Sequence, residues 1–434
     1  MTDEPQPERH DAYAALRNPY VRSFIVGRSA ATIGAQIISV AVGWELYERT
    51  GDVWALALVG LFEVAPVVFL MLPSGNAADR YPRRNLAMLA YSLLTVAALG
   101  LALISWLQAP VEVVYAMLVV IGSARAIASP SVGTILPQIL EPRQFANSQA
   151  WLISSFQLSS ICGPAIGGIL IALMGGATGA YVVAAVGELI FVATLATLPS
   201  IAPIPSGAKR SLAEVFAGFL FIKRNPIFAA AITLDLFGVL LGGAVSLLPV
   251  LAKDILGTGP EGLGLLRAAP GVGALLTALT ITRLPPWQRP GRVLLMTVAG
   301  FGVATVAFGL SRDLWLSMAC LFFVGATDAV SMVIRGTLQQ MITPDHLRGR
   351  VAAVNYMFIN FSNELGGFES AAVAKLVGPI WSVVGGGVGT LAVVVLVMVL
   401  WPQLARIGPL HTLRPAEEDL PPPRAEHAAG PAGA

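Results

Sequence analysis

The sequence predicts an all-α membrane protein of twelve transmembrane helices in two pseudo-symmetric six-helix bundles. Three observations predict it. The 434 residues are 56% hydrophobic and only 12% charged, whereas a soluble domain carries about 25% charged residues, and the mean hydropathy is +0.74. Apolar runs long enough to cross a bilayer succeed one another along the chain. Stretches of the first half recur in the second at a nearly constant offset.

The runs come first. A spanning helix needs about 20 largely apolar residues. Twelve segments meet that need: 20–46, 53–73, 85–107, 111–138, 147–174, 178–199, 226–252, 260–284, 292–311, 313–336, 351–375 and 378–402. The first is too long, and too directly followed by others, to be a cleaved signal, so it reads as an uncleaved span. An even number leaves both ends on one side. With the N-terminus inside, the cytoplasmic segments hold 19 of the 27 Lys and Arg, and the outer loops hold four, Arg49, Lys253, Arg312 and Lys375. That bias predicts a multi-pass protein of a bacterial cytoplasmic (inner) membrane with both termini cytoplasmic.

The expected organisation is a cytoplasmic tail at 1–19, an N-terminal bundle at 20–199, a linker at 200–225, a C-terminal bundle at 226–402 and a disordered cytoplasmic tail at 403–434. The linker starts Pro-rich and turns amphipathic from Ser211 to Arg224, which suits a helix on the inner membrane surface. The final tail is rich in Pro, Ala and charge.

The repeat is visible in three places. Arg17–Arg28 matches Arg224–Asp235, Gly60–Pro66 matches Gly264–Pro270, and Gly122–Thr134 matches Gly325–Thr337. Six helices per copy give both copies the same orientation, so the relating axis runs along the membrane normal. The matched positions carry opposite charges: Arg28 with Asp235, Glu63 with Arg267, Arg125 with Asp328. Ionisable groups at such depth must face protein or a wet cavity. The reversals predict that the halves attract each other across a cavity, with Arg28, Arg125 and Arg267 as its cations. The alternative is that each charge is neutralised inside its own bundle. It stands evenly for Glu63 and Arg267 and is the weaker reading for the other two pairs.

Several classes are disfavoured. A net charge of +2 gives no reason to expect a nucleic-acid partner. Cys162 and Cys320 lie in apolar segments, and the four histidines do not cluster, so no metal is expected. Neither a nucleophile elbow nor a nucleotide-binding loop is present, so neither an enzyme nor a cofactor is expected. The expected partners are a small-molecule substrate, protons and the lipid bilayer, with the chain working as a monomer.

Three motifs carry chemistry. The turn after the second segment reads Gly75-Asn-Ala-Ala-Asp79-Arg80-Tyr-Pro-Arg83-Arg84. The fourth segment carries Arg125 among small residues. The fifth contains Gly163-Pro164-Ala-Ile-Gly167-Gly168, whose small residues permit close packing and whose proline removes a backbone hydrogen bond. The turn resembles the G-x-x-x-D-R-x-G-R-R signature of the major facilitator superfamily, departing at Pro82, where that family usually has Gly. The fourth-segment arginine resembles the family's buried one, without the Gln-Gly that usually follows. The fifth segment resembles the antiporter motif of the superfamily's exporters. From Gly325 to Ser370 the chain looks like the multidrug and siderophore efflux branch that includes the enterobactin exporter.

The resemblance implies the family's two-bundle fold and the export of a siderophore or an amphipathic drug-like compound by proton antiport with alternating access. A receptor retaining the fold, and an importer, remain alternatives. It implies a cytoplasmic gate at Gly75, Asp79, Arg80, Arg83 and Arg84, to which Arg335 is added from the inner end of the tenth segment. It also implies that the fifth segment packs on the eighth. Carboxylates available for coupling inside the segments are Glu63, Glu188, Asp235, Asp328, Glu364 and Glu369. Asp235 and Asp328 are the first choices, with Arg28 and Arg125 as their counter-charges, and Glu364 and Glu369 are the second.

Overall fold

Local chemistry starts the helices. The repeated triplet Arg-Asn-Pro places Asn18 and Asn225 as N-caps, whose side chains accept from the backbone N–H of Tyr20 and Phe228, with Pro at the first helical position. An Asn cap satisfies an orphan donor and a first-turn Pro has no N–H to lose. The repeat is therefore a repeated helix start. Asp52 and Asp313 cap in the same way.

The computed structural model describes residues 13, 15–140, 142–199, 212–345 and 347–410. The N-terminal half comprises α1 (Pro19–Thr50), α2 (Val53–Arg80), α3 (Arg83–Leu107), α4 (Val111–Val132), α5 (Pro142–Met174) and α6 (Ala177–Thr197). The C-terminal half comprises α7 (Pro226–Leu241), α8 (Pro260–Ile281), α9 (Pro290–Leu310), α10 (Leu314–Ile342), α11 (Arg348–Val377) and α12 (Pro379–Leu400). Among the described residues, eleven helices are long and apolar enough to cross a membrane. The exception is α11, which is long but polar, with Asn355, Asn360, Asn363, Glu364 and Glu369 along it.

Packing repeats with the sequence. Helix α1 lies along α5 and α6, α2 along α4, and α3 along α4 and α6. Six helices later, α7 lies along α11 and α12, α8 along α10, and α9 along α10 and α12. The halves meet through two long seams, α5 on α8 and α2 on α11, which the same operation exchanges. The glycines repeat too: Gly122 of α4 sits against the Glu63 carbonyl of α2, and Gly325 of α10 against the Pro270 carbonyl of α8. Helix α7 ends at Gly242-Gly243 and continues to Ile255 as short turns of changing pitch, past Pro249. A β-carbon on Gly243 would stand 2.8 Å from the Gly366 carbonyl carbon, so the break brings α7 close to α11.

The buried core is divided unevenly. One cluster joins both halves, running from Ile37–Tyr47, Leu56, Leu101 and Tyr181 to Leu247–Ala252, Leu263, Leu266 and Ala371. At the other end there are two clusters. One belongs to the C-terminal half, with Phe228, Leu294, Leu338 and Val397. The other belongs to the N-terminal half, with Phe24, Ala87, Ile135 and Phe191. The molecule is thus closed at the end bearing the α1–α2 turn and divided at the end where α1 starts and α12 finishes.

The chain on either side of the C-terminal bundle packs against it. Of the tail at 403–434, residues up to Leu410 are described and are packed: Leu404 and Ile407 are buried, and Arg292 Nε donates to the Ala405 carbonyl at 3.3 Å. The amphipathic linker helix spans Leu212–Arg224 and docks on the start of α11, with Phe221 and Ile222 buried, Phe219 edge-on to Phe358, and Phe216 exposed. A helix with one apolar stripe finds a protein groove there as well as a bilayer. Residues 1–12, the Pro-rich linker 200–211, His346 and the tail from 411 lie outside the described residues.

Candidate functional site

Helix α10 presents Asp328, Ser331 and Arg335 on one face, because steps of three and four residues each cover about one turn. Across from that face, α7 supplies Asp235. The Arg335 guanidinium pairs with Asp235 through Nη1, reaches Asp328 Oδ1 at 3.8 Å through Nη2, and donates from Nε to Ser331 Oγ at 3.2 Å. Asp235 is 10% exposed and Asp328 is 41% exposed. A cavity of about 20 Å³, the room of a water or so, lies beside the triad among Asp235, Gly238, Thr297, Phe301, Thr327 and Asp328. One cation therefore serves two carboxylates. The group carries one surplus negative charge while both are ionised, and one proton neutralises it.

The N-terminal half settles its charges separately. Arg125 Nη1 of α4 pairs with Glu63 Oε2 of α2 at 2.5 Å, and Arg28 Nη1 of α1 donates to the Tyr91 hydroxyl of α3 at 3.1 Å. This corrects the expected pairing. Arg28 and Arg125 are not the counter-charges of Asp235 and Asp328. Arg125 and Glu63 pair inside the N-terminal half, and Asp235 and Asp328 share Arg335 inside the C-terminal half. Arg335 likewise does not sit at the end of its helix. It lies two turns inside α10 and is the cation that both first-choice carboxylates share.

The remaining candidates are dispersed. Arg267 is half-buried on α8, one turn from Gly264 and Gly271 on the seam with α5. Glu369 lies in the second half of α11, where its Oε2 accepts from Ser370 Oγ at 3.4 Å. The Glu364 side chain is outside the described set. Of the expected gate motif, Gly75 and Arg80 lie in the last turns of α2, the first buried and the second exposed, and Arg84 at the start of α3 donates from Nη1 to the Leu198 carbonyl at 2.7 Å, just past the end of α6. Among the described residues Asp79 makes no ion pair.

The antiporter-like motif faces two ways. A β-carbon on Gly163 would stand 2.5 Å from Gln36 Cβ, and one on Gly167 would stand 3.2 Å from Ile37 Cα, both on α1. Gly168 instead faces α8: its β-carbon would strike the Pro260 carbonyl and stand 3.0 Å from Gly264 Cα. The fifth spanning helix does pack on the eighth, and Gln157 Nε2 adds a bond to the Gly271 carbonyl at 3.3 Å.

Sequence reasoning missed the residues that shut the closed end. There the Tyr47 hydroxyl donates to Asp254, Lys253 Nζ stands 5.9 Å from the centroids of Trp44 and Tyr47, Lys375 Nζ meets Asp52 Oδ1 at 2.8 Å, and Trp54 lies edge-on to Phe368. The available signal was opposite charge on loops of different halves, Asp52 and Lys375 among them.

The family model described as transmembrane secretion effector matches residues 10–417. The enterobactin exporter EntS of Shigella boydii serotype 18 is 27% identical over 391 residues, which cover 90% of this chain and 93% of that protein. The enterobactin exporter of Escherichia coli O157:H7 is similar at the same identity and coverage. Among solved structures, a POT family transporter in complex with 5-aminolevulinic acid superposes with a TM-score of 0.71 at 11% identity, covering 88% of this chain and 96% of that one. A bacterial homologue of the lysosomal transporter Spinster, described as inward-facing, gives 0.65 at 15% identity, covering 91% and 98%. At these identities the structural likeness concerns the fold.

Proposed function

We propose a transport cycle from one established premise: the chain belongs to the transmembrane secretion effector family of the major facilitator superfamily. It is a multi-pass membrane protein and a secondary transporter that exports a small molecule. The proposed cargo is a siderophore or an amphipathic drug-like compound, exchanged for protons, with one chain as the working unit since it contains both halves. The likeness to enterobactin exporters supports the cargo class. The charge bias of the loops supports cytoplasmic termini, and with that orientation the structure is the inward-open state.

The observation that carries the proton reading is the Asp235–Arg335–Asp328 triad. Asp328 is the more exposed of the two carboxylates and the more loosely held by Arg335, so it is the one that takes up the proton. A proton arriving there releases it from Arg335, which stays paired with Asp235, and the α7–α10 face becomes neutral. A neutral face can cross from one access to the other without exposing an unpaired charge to hydrocarbon. On the inward side the proton leaves, Asp328 is drawn back to Arg335, and cargo binds in its place. The Asp79 turn acts in the opposite state, where the inner ends meet.

The test uses everted vesicles with a ΔpH-sensitive dye, and enterobactin and ethidium as probes. The expected result is a probe-induced proton leak in the wild type that is lost in Asp328→Asn and Asp235→Asn while both proteins remain inserted. Full coupled efflux by both variants overturns the assignment.

A further inference from the structure

The triad uses two of the carboxylates inside the helices, and a third, buried one has no part in it. Glu188 lies in the middle of α6, inside the N-terminal half, and is 1% exposed. Its Oε2 finds no hydrogen-bond partner. Beside it, α6 and α1 approach closely at Gly187, where a β-carbon would stand 2.6 Å from the Ala30 carbonyl oxygen. The ionisable groups around it come from the helices that pack on or beside α6. These are Arg28 on α1, Tyr91 on α3 and Arg125 on α4, while α5 carries only Arg143 near its start and Cys162. Both cations are engaged elsewhere, Arg28 with Tyr91 and Arg125 with Glu63.

An ionised carboxylate in that position would be a sealed charge with a bare oxygen, among the costliest arrangements a protein interior can hold. A protonated carboxyl is neutral, and its hydroxyl can rotate to suit its surroundings. We propose that Glu188 is a proton-binding site of the N-terminal half, occupied by its proton in the inward-open state. The cations beside it are also the means of emptying it. If Arg125 leaves Glu63 as α2 and α4 shift, its charge can turn to Glu188. The proton then passes from Glu188 to cavity water, and a carboxylate–guanidinium pair takes its place. The chain would then hold one proton site in each half. The role of Glu188 in transport rests on the antiport reading above; its protonation does not.

The test is made on the purified full-length protein in detergent without cargo, so it stands or falls apart from the vesicle assay. Infrared difference spectra read the carbonyl stretch of protonated carboxylic acids as pH is changed. At neutral pH the wild type is expected to show a band that bleaches on alkaline titration and is absent from Glu188→Gln, whose thermal unfolding stays like that of the wild type. An unchanged band in Glu188→Gln overturns the proposal. So does a Glu188→Gln protein that fails to fold, because only an ionised Glu188 balancing Arg28 and Arg125 would make the neutral isostere destructive.

Discussion

Arg335 holds two carboxylates with one guanidinium, and the cost of removing it follows from that sharing. Arg335→Met leaves Asp235 buried beside Asp328 with no cation. Breaking a buried pair from one side costs about 3–5 kcal/mol, so the variant is expected to unfold at a clearly lower temperature in detergent. Adding Asp235→Asn to it should recover much of the loss, since the second change removes the uncompensated charge. Strictly additive losses would show that the triad is not a unit. The carboxylates of this site were legible in the sequence, but their partner was not recognised. Asp328 and Arg335 are seven residues apart, a spacing that puts them on one helix face, but the apolar run stops near 336 whereas α10 continues to Ile342. Arg335 therefore looked terminal. The charge reversals between the halves were real in the sequence, yet they carry no information about neighbours. A symmetry operation relates equivalent positions without bringing them into contact.

At the scale of single helices, the close approach of α5 to α8 sets what each glycine tolerates. Gly168→Ala drives a β-carbon into the Pro260 carbonyl, which is backbone and cannot yield alone. Gly167→Ala meets Ile37 Cα at 3.2 Å, which a small shift relieves. Overpacking costs about 1–3 kcal/mol. Export of ethidium from whole cells is therefore expected to fall strongly in Gly168→Ala and little in Gly167→Ala at equal membrane levels. Equal effects would mean that the seam is slack. Close packing of α5 was readable in advance from its small residues, and the family resemblance supplied α8 as the partner. The break in α7 was not read from the sequence: Gly242-Gly243 and Pro249 sit inside a continuous apolar run, and hydropathy is blind to backbone course. Two polar residues of α11 are met by hydrogen bonds, Asn355 Nδ2 donating to Gln339 Oε1 of α10 and Asn363 Nδ2 to the Ile359 carbonyl, both at 2.8 Å.

For the whole molecule, closure at one end is a balance between a shared apolar core and a few polar clasps. Lys375 hydrogen-bonds Asp52 and, together with the Trp54 N–H, holds its carboxyl below the usual carboxylate range. A lowered pKa means that the clasp favours the ionised form. Its contribution is present at neutral pH and is lost as pH falls through the lowered value. Both side chains are well exposed, so the pair contributes about 0–1 kcal/mol. Spin labels at Glu112→Cys and Glu261→Cys, with Cys162 and Cys320 replaced by Ser, report the separation of the closed ends. Acidification should broaden the distance distribution toward longer values, and Lys375→Met should abolish that acid response. A response that persists in Lys375→Met would place the acid-sensitive clasp elsewhere.

The core that bridges the halves has a thermal consequence. Opening the closed end hydrates side chains such as Leu56, Leu251 and Leu263, which are now dry. Hydrating apolar surface raises heat capacity, and the attraction that opposes it fades on cooling. The equilibrium between the two access states must then curve with temperature. Cooling favours whichever state buries less apolar surface in total, so a cell in the cold starts each cycle from a different mixture of open ends.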